Sequence, residues 1–359
     1  MQKRNVLIVG GYGEVGRQIA QILLDRHEDL DIVLGGRSPG KAAALESERV
    51  HTVVVDTNTE DPLQHVDEPI SLIISAVNDL QDKLLLAAVK RKIPFIDVTR
   101  WTELFEQASA KLKKVKLHAP VVLSSGWMAG TASLFAKLYA ESLQNVAVDI
   151  HALYSLQDKA GPDSTAYMDR LTIPFHITEA GKSRLVHPMT DPVKVQFPNG
   201  YEAKCYRLDT PDHMTLLKDN HIDTASFRIS FDSKTSTSLL VALVNSGLWK
   251  MISGKRFRSF RQRLLYNPGT GSTHHVLIHL KGTGPNGRPV ERRVAISDPL
   301  GQTHLTALGA AVQAEKLLLM PNNEPIAPGV YYPEDLPNSR MDKAAILNFF
   351  KQYGVVVSN

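Results

Sequence analysis

Three glycines near the N-terminus have the spacing that lets a protein backbone approach a pyrophosphate. Gly11, Gly13 and Gly16 follow a short apolar run at residues 6–9 and precede a segment with helical periodicity. In this pattern the first glycine allows a tight turn, the second leaves room for phosphate, and the third lets the helix pack against the strand. The helix N-terminus adds N–H groups and partial positive charge. The residues predicted to contact a dinucleotide here are Gly11, Tyr12, Gly13, Glu14, Val15 and Gly16.

The end of the next predicted strand indicates which dinucleotide binds. Gly36 lies twenty positions after Gly16, where NAD-binding proteins carry an acidic residue for the ribose 2′-hydroxyl. This chain has no carboxylate there, but Arg37 and Ser38 follow, with Lys41 one turn further on. A guanidinium, a hydroxyl and an ammonium would bind a 2′-phosphate that an acid would repel. The pattern therefore favours NADP over NAD, the alternative being that Arg37 is an ordinary solvated turn residue.

Further contacts are predicted at the ends of the following strands. Asp56 ends the third predicted strand and is expected beside the adenine. The end of the fourth strand is expected to pass close to the pyrophosphate and ribose, where small residues suit either close approach or plain packing. Residues 97–101 and 124–130 follow the fifth and sixth strands and are expected on the nicotinamide side. The remaining residues predicted to bind the cofactor are Gly36, Asp56, Ser75, Ala76, Val77 and Gly126.

The rhythm of the chain predicts two kinds of architecture. Strands alternate with helices up to about residue 130, which is typical of a Rossmann, doubly wound parallel sheet. The second half contains alternating-pattern strands, including a hairpin around the turn "TGPNGR", which predicts an α+β domain with a mostly antiparallel sheet. We therefore predict an α/β fold in which both parts contain sizeable cores.

Composition excludes several classes of function. A formal net charge of +4 over 359 residues is too mild for a nucleic-acid-binding protein. The most apolar longer segment, residues 238–252, is shorter than the roughly 20 residues of a membrane helix, and we expect it to form a buried helix. A single cysteine, Cys205, allows no internal disulfide and fits a cytoplasmic location. His275 and His279 share a strand face, but no third ligand is obvious, so no metal site is predicted.

Several motifs together resemble the saccharopine dehydrogenase-like family, in its saccharopine reductase branch. They are "VGGYGEVGRQIA", "GGRS", "IDVTRW", "SSGWMAGTASLFA", "TALGAAVQAEKLL" and "APGVYYPEDL". The resemblance implies an NAD(P)-dependent oxidoreductase that transfers hydride to or from the C–N bond of an imine or secondary amine derived from an amino acid. It also implies a homodimer, and a discontinuous Rossmann domain at residues 1–130 and 303–359 with a substrate domain inserted at 131–302.

The substrate and the catalytic acid stay open at this stage. Arg100 and Trp101, at a strand's carboxyl end, and Tyr167 and Arg170, in "STAYMDRL", are candidates for substrate contact. The alternative for the last two is a solvated helix. The chain lacks the family's frequent Asp-x-x-Gly-Glu run after the fifth strand, because Val98–Trp101 follow Asp97 without it. Two other functions are considered: a non-catalytic NADP-binding sensor and a polyamine-pathway reductase of the carboxynorspermidine type.

Overall fold

The computed structural model describes residues 4–38, 47–159, 167–253, 255–257, 269–319, 325–337 and 341–359. Its strands are β1 (Arg4–Val9), β2 (Leu30–Gly36), β3 (Val50–Val54), β4 (Ile70–Ser75), β5 (Phe95–Asp97), β6 (Pro120–Val122), β7 (Gln144–Tyr154), β8 (Phe175–Glu179), β9 (Lys182–Val186), β10 (Val193–Gln196), β11 (Glu202–Arg207), β12 (Ile222–Phe231), β13 (His274–Thr283), β14 (Pro289–Asp298), β15 (Gly329–Tyr331) and β16 (Val356–Ser358). Its α-helices are α1 (Glu14–Arg26), α2 (Lys83–Arg91), α3 (Thr102–Leu112), α4 (Thr131–Ala140), α5 (Asp212–Thr215), α6 (Lys234–Asn245), α7 (Leu248–Ile252), α8 (Gln302–Leu318) and α9 (Lys343–Gln352).

The first sheet is parallel throughout and has the strand order β15-β6-β5-β4-β1-β2-β3. Its central strands are apolar and buried because helices cover both faces of such a sheet; Val6, Leu7 and Ile8 have no exposed surface. In the sheet, β2 lies on one side of β1 and β4 on the other, and the chain returns from β3, at the edge, to β4. This arrangement confirms the predicted Rossmann sheet and creates a crevice at the carboxyl ends of β1 and β4.

The C-terminal part of the chain contributes to this first unit. The helix α8 comes so close to the loop after β6 that a Cβ at Gly309 would lie 2.5 Å from the Gly126 carbonyl oxygen. Arg4 donates to the Leu318 carbonyl at 2.9 Å, and β15 extends the parallel sheet beside β6. By contact density the first unit comprises residues 1–131 and 304–346, and the second comprises 132–303 and 347–359.

The last residues differ from the predicted domain boundary. We expected everything after about residue 303 in the nucleotide-binding domain, but residues 347–359 fall in the second unit. The physical reason is that β16 pairs antiparallel with β14 of the second sheet, with Ile296 opposite Val357. A three-residue strand of this kind has too little pattern to be assigned from sequence.

The second sheet has the order β10-β11-β12-β7-β13-β14-β16, with β8 pairing with β12 and β9. Only the β12–β7 pair is parallel among the described strand pairs of this sheet. The mostly antiparallel sheet of an α+β unit is thereby confirmed. One face carries apolar side chains that are fully buried, such as Val148, Ile150 and Ile278.

The apolar segment at residues 238–252 is not the single buried helix that its composition predicts. Gly247, with φ 78°, separates α6 from α7, and Leu239, Leu248 and Met251 are exposed by 49%, 49% and 73%. Of the helices in the described ranges, none has the length and apolar character needed to cross a membrane.

A buried ion pair joins α1 to α8 and gives the first prediction. The Glu315 side chain is 1% exposed and pairs with Arg26, while His27 Nε2 lies 3.2 Å from its Oε1. Burial alone would raise the pKa of Glu315, but hydrogen bonds from His27 and Arg26 hold it below its ordinary value. The ionised carboxylate therefore stabilises the fold above its ordinary pKa, and this contribution is lost as pH falls toward the folded-state pKa.

We expect Glu315→Gln to lower the free energy of unfolding at neutral pH by about 2 kcal/mol, less than for a fully buried pair because Arg26 is partly exposed. The difference from wild type should shrink as pH falls below about 4.3, the ordinary glutamate pKa. Urea denaturation at a series of pH values measures it. The exposed Glu291→Gln is the control and should change little. An equal loss at every pH would contradict the ion-pair explanation.

Candidate nucleotide site

The turn between β1 and α1 has no room for side chains at two of its glycines. A Cβ at Gly11 would lie 2.7 Å from Leu34 Cδ2 and 2.8 Å from the Ile8 carbonyl oxygen. A Cβ at Gly16 would overlap the carbonyl oxygen of Gly10, so only glycine lets the first turn of α1 come this close. Gly10 itself has φ 83°, in the region that favours glycine. These contacts match the tight turn and the close helix packing expected of the first and third motif glycines.

Gly13 differs from its neighbours because it is exposed and only one atom lies near the position that its Cβ would take. Its backbone is extended, with φ −78° and ψ 168°, and a Cβ there would meet only the Gly10 carbonyl oxygen, at 3.2 Å. Gly13 is the N-cap of α1, and no side chain caps the helix. The N-terminus of α1 is thus presented beside a backbone position kept clear of side chains. A pyrophosphate fits this cradle, where it would face peptide N–H groups and the positive end of the helix.

The residues predicted to bind the adenosine side lie around the end of β2. The Tyr12 hydroxyl donates to the Leu34 carbonyl at 3.0 Å, and its ring packs where a Cβ at Gly36 would be, 2.7 Å from Tyr12 Cε2. Arg37 and Ser38 follow as exposed residues, and Lys41 lies outside the described residues. An exposed guanidinium and hydroxyl next to the end of β2 fit a 2′-phosphate.

Asp56 also lies near this end of the sheet. Hydrogen bonds from the backbone and side chain of Asn58, at 3.0 and 2.8 Å, hold the pKa of Asp56 below its ordinary value, with help from the charges of Arg37 and Lys83. Asp56 is therefore ionised at neutral pH and can accept, but not donate, a hydrogen bond from a bound adenosine. That contact stays a prediction.

Small residues line the crevice at the end of β4. The Ala76 N–H donates to the Val9 carbonyl at 2.8 Å, which holds this segment against β1. The buried Ser75 hydroxyl donates to the Val77 carbonyl at 3.2 Å. Val77 Cγ1 lies 2.6 Å from where a Gly10 Cβ would be. Ser75, Ala76 and Val77 therefore border the glycine turn directly, as the sequence predicts, although their contact with a cofactor stays a prediction.

Gly126 has a structural reason to be glycine. A Cβ there would lie 2.9 Å from the Val98 carbonyl oxygen and 3.6 Å from Thr306 Cγ2. Its own carbonyl accepts a hydrogen bond from the Thr131 N–H at 2.9 Å. The residue thus lets three segments converge at the carboxyl edge of the sheet, and its predicted role in binding the cofactor remains a prediction.

Three buried hydroxyls lie in the ranges 97–101 and 124–130 that were predicted on the nicotinamide side, although none of them was singled out as a contact. Thr99 Oγ1, Ser124 Oγ and Ser125 Oγ have no hydrogen-bond partner within the described part of the chain. Ser124 also has φ 60°, an uncommon backbone conformation that is often found at functional sites. A buried hydroxyl without a partner costs about 1–3 kcal/mol, which a ligand or ordered water at this edge would recover. The sequence indicated these hydroxyls only by their position directly after the predicted strands.

Arg100 lies in a buried ion network. Its Nε is 2.5 Å from Asp97 Oδ2, and its Nη1 is 2.6 Å from Asp82 Oδ1. Asp82 also pairs with Lys111 Nζ at 2.8 Å, and Asp79 accepts three backbone N–H bonds at the start of α2. Only 3% of Arg100 is exposed. The ion pairs of Arg100 with Asp97 and Asp82 hold the loop after β5 in place. Contact between Arg100 and substrate stays a prediction.

Within the described residues, the contacts given above join three carboxyl groups, those of Asp79, Asp82 and Asp97, to two cations, Arg100 and Lys111. Burial raises the pKa of Asp97 to about 6, although Arg100 opposes the shift, while hydrogen bonds and charges keep the pKa of Asp82 below its ordinary value despite desolvation. As pH falls below neutral, Asp97 is therefore expected to take up a proton before Asp82 does.

The remaining substrate candidates lie on different elements. Trp101 is the N-cap residue of α3, directly after the ion network. Tyr167 and Arg170 line a small cavity of the second unit together with Asp209. Burial raises the pKa of Tyr167 well above its ordinary value, with the charges of Asp209 and Asp212 contributing, so its phenol is neutral. The structure thus groups Tyr167 with Arg170. No group of three or more His, Cys, Asp or Glu residues suited to a metal occurs in the described ranges.

The contrast between two glycines of the turn gives a prediction. Gly13→Val places a branched side chain where the phosphate would lie, so NADPH binding should weaken at least about 100-fold while the protein stays folded. Gly16→Ala should instead destabilise the protein by about 2 kcal/mol or more, because its Cβ meets backbone. Calorimetry and urea denaturation distinguish the two. A folded Gly13→Val protein with wild-type NADPH affinity would show that the turn does not hold the pyrophosphate.

Asp97 gives a prediction on pH dependence. Ionising this buried carboxyl costs folding free energy as pH rises from the ordinary pKa of 3.8 to about 6. Asp97→Asn removes that cost. The free energy of unfolding of the variant, relative to wild type, should therefore increase across this interval by up to about 3 kcal/mol. Urea denaturation across the interval measures it, with the exposed Asp67→Asn as control. If the difference between variant and wild type does not change with pH, the pKa of Asp97 is not raised in the folded protein.

Comparisons with known proteins agree with this geometry. Residues 6–153 match the family model described as "Saccharopine dehydrogenase NADP binding domain". The fold is similar to apo saccharopine dehydrogenase (L-Glu forming) from Saccharomyces cerevisiae, with a TM-score of 0.67 and 15% identity over 99% of this chain and 100% of that one. A mutant meso-DAPDH from Clostridium tetani matches with a TM-score of 0.49 and 12% identity over 93% of this chain and 95% of that one. No curated protein sequence matches significantly.

The family match covers the glycine turn, the end of β2 and the strands of the crevice, which are the residues that the sequence motifs single out. It identifies the cofactor as NADP and confirms the predicted resemblance. Residues 6–153 therefore form a saccharopine dehydrogenase NADP-binding domain, which indicates an NAD(P)-dependent oxidoreductase.

Proposed function

We propose that the protein catalyses hydride transfer between NADP and the C–N bond of an imine or secondary amine derived from an amino acid. The observation that carries the proposal is the exposed Gly13 cradle, which lies in the same unit as three buried hydroxyls at the carboxyl edge of the sheet that have no hydrogen-bond partner among the described residues. The cradle suits the pyrophosphate, while the hydroxyls suit polar groups of the nicotinamide or substrate. When bound, NADP supplies or accepts the hydride.

The chain's own residues would bind and orient the reactants. We assign the pyrophosphate to the backbone of residues 11–16, and the 2′-phosphate to Arg37 and Ser38 together with Lys41. Trp101, Tyr167 and Arg170 are the proposed substrate contacts. A neutral phenol at Tyr167 can donate a hydrogen bond but cannot act as a base, and the guanidinium of Arg170 is a suitable partner for a substrate carboxylate.

The proposal includes an assembly and a location. The family resemblance supports a cytoplasmic homodimer that acts on a small molecule and binds neither nucleic acid nor membrane. It also supports a discontinuous nucleotide-binding domain, formed by residues 1–130 and by the chain from 303 to 346, with 131–302 inserted as the substrate domain. The α8 contacts of Glu315 and Gly309 within the first unit favour that return of the chain.

A substrate screen tests the proposed reaction. Purified protein with NADPH is offered amino acids paired with aldehydes or 2-oxo acids, and loss of the reduced nicotinamide absorbance is followed. We expect turnover with at least one pair, abolished in Gly13→Val. Tight NADPH binding without turnover for any pair, in either direction, would contradict an enzyme of this class and favour a non-catalytic NADP sensor.

Cofactor choice gives a further prediction. Because Arg37 and Ser38 are exposed at the end of β2 without a nearby acid in the motif, NADPH should bind at least tenfold tighter than NADH, about 1.4 kcal/mol. Arg37→Asp should reverse the preference by removing a phosphate partner and adding repulsion. Calorimetry measures both affinities. Arg288→Asp, the same charge change at an exposed hairpin residue, is the control. Equal affinities of the wild type for NADPH and NADH would contradict the assignment.

A further inference from the structure

The second unit contains an open cleft that the proposed reaction does not use. It lies between the paired strands β10 and β11 on one side and the first half of α6 on the other, and has a volume of about 240 Å³. The lining side chains are mostly cationic or hydroxyl-bearing, and Glu202 is the one carboxylate among them. The lining residues are Lys194, Glu202, Ala203, Lys204, Tyr206, Ser230, Lys234, Thr237 and Ser238.

Two of the lysines are placed directly opposite each other. In the antiparallel register of β10 and β11, Lys194 is the partner of Lys204. Like charges in directly opposed positions of a sheet repel and destabilise the pair. Glu202 is 3.9 Å from Lys194 Nζ, but in the described ranges no carboxylate lies within 4 Å of Lys204. The strand pair therefore carries uncompensated positive charge toward the cleft.

The third lysine, Lys234, lies at the N-terminus of a helix, where a positive charge is destabilising. Lys234 is the first residue of α6, where the helix dipole is positive, and the first turn contains no acidic residue. No ion pair involves Lys234 among the residues that the structure describes; its Nζ lies 5.7 Å from the centre of the Tyr201 ring, at cation–π distance. The helix and the strand pair thus both direct positive charge to the same cleft.

The rest of the wall is neutral and ordered. Thr237 is buried; its Oγ1 donates to the Ser233 carbonyl at 2.9 Å, accepts from the Phe231 N–H at 3.1 Å, and lies 3.4 Å from Ser230 Oγ. These bonds hold the start of α6 against the end of β12. Tyr206 and Ser238 add further hydroxyls to the lining. The cleft therefore combines fixed hydrogen-bonding walls with a net positive charge, the combination that binds anions.

We propose that this cleft binds a small polyanion, carried by phosphoryl or carboxylate groups. Residues that lower stability where they stand are expected at functional sites. The opposed Lys194 and Lys204, and Lys234 at the start of α6, are such residues. An anion with two or more charges would bridge the strand pair and the helix. Because Glu202 lies beside Lys194, the charges of Lys204 and Lys234 are left to the ligand, and an anion with a single charge would neutralise only one of them.

Calorimetry on the full-length protein at low ionic strength tests the site, with inorganic pyrophosphate and citrate as probes. Saturating NADPH is present to occupy the phosphate positions of the first unit. We expect at least one probe to bind the wild type and to bind the Lys204→Gln/Lys234→Gln double variant at least tenfold more weakly. Binding of pyrophosphate alone identifies a phosphoryl ligand, and binding of citrate alone identifies a polycarboxylate.

The matched control is Lys182→Gln/Lys281→Gln, which removes the same charge at exposed lysines of β9 and β13 and should bind like wild type. Without anion, the Lys204/Lys234 variant should melt at the same temperature as wild type or higher, because repulsion is relieved. Binding of neither probe, equal affinity in the two double variants, or a lower melting temperature would overturn the proposal. NADPH affinity is measured separately, so failure here is distinct from failure of the nucleotide site.

Discussion

The contact between the first turn of α1 and the turn after β1 determines the geometry of the nucleotide edge. A side chain at Gly16 would overlap the carbonyl of Gly10, so the helix can begin at this distance from the strand only with glycine there. Because β1 lies between β2 and β4 in the sheet, fixing α1 on β1 also fixes its distance from the ends of both neighbours. The exposed position of Gly13 follows from the same constraint. The side of the turn at Gly11 packs against Leu34 and Ile8, whereas only the Gly10 carbonyl oxygen lies near the Cβ position of Gly13.

The parts of this site that could be predicted from sequence are those set by backbone constraints. The glycine spacing, the buried apolar strands and the strand–helix alternation each have a local physical cause, so the parallel sheet and its turn followed from the residues themselves. The three-residue strand β15 could not be predicted, because its pairing with β6 depends on a partner two hundred residues earlier in the chain. The same holds for β16, which joins β14 by pairing rather than by any pattern of its own.

Side-chain roles were harder to predict than positions, and Arg100 shows why. Its place after a strand end suggested contact with substrate, but its partner Asp82 comes from a different loop and cannot be identified from spacing. Burial then turns the guanidinium into an anchor for the loop that carries Thr99 and Trp101. The unpartnered hydroxyls of Ser124 and Ser125 are the converse case, because a serine's type does not reveal whether its hydrogen bonds are satisfied within the fold.

Cations that anchor the fold differ in their partners from cations that are proposed to bind ligands. Arg26 and Arg100 both pair with buried carboxylates, and each pair joins segments that are distant in sequence. Arg37, Lys204 and Lys234 are exposed, and in the described ranges none of them has a carboxylate within 4 Å. A surface cation without a binding role is expected to be solvated and distant from other cations, because clustered like charges raise the free energy of the folded state. Clustered lysines on an ordered wall are therefore better explained by an anion that is not part of the chain.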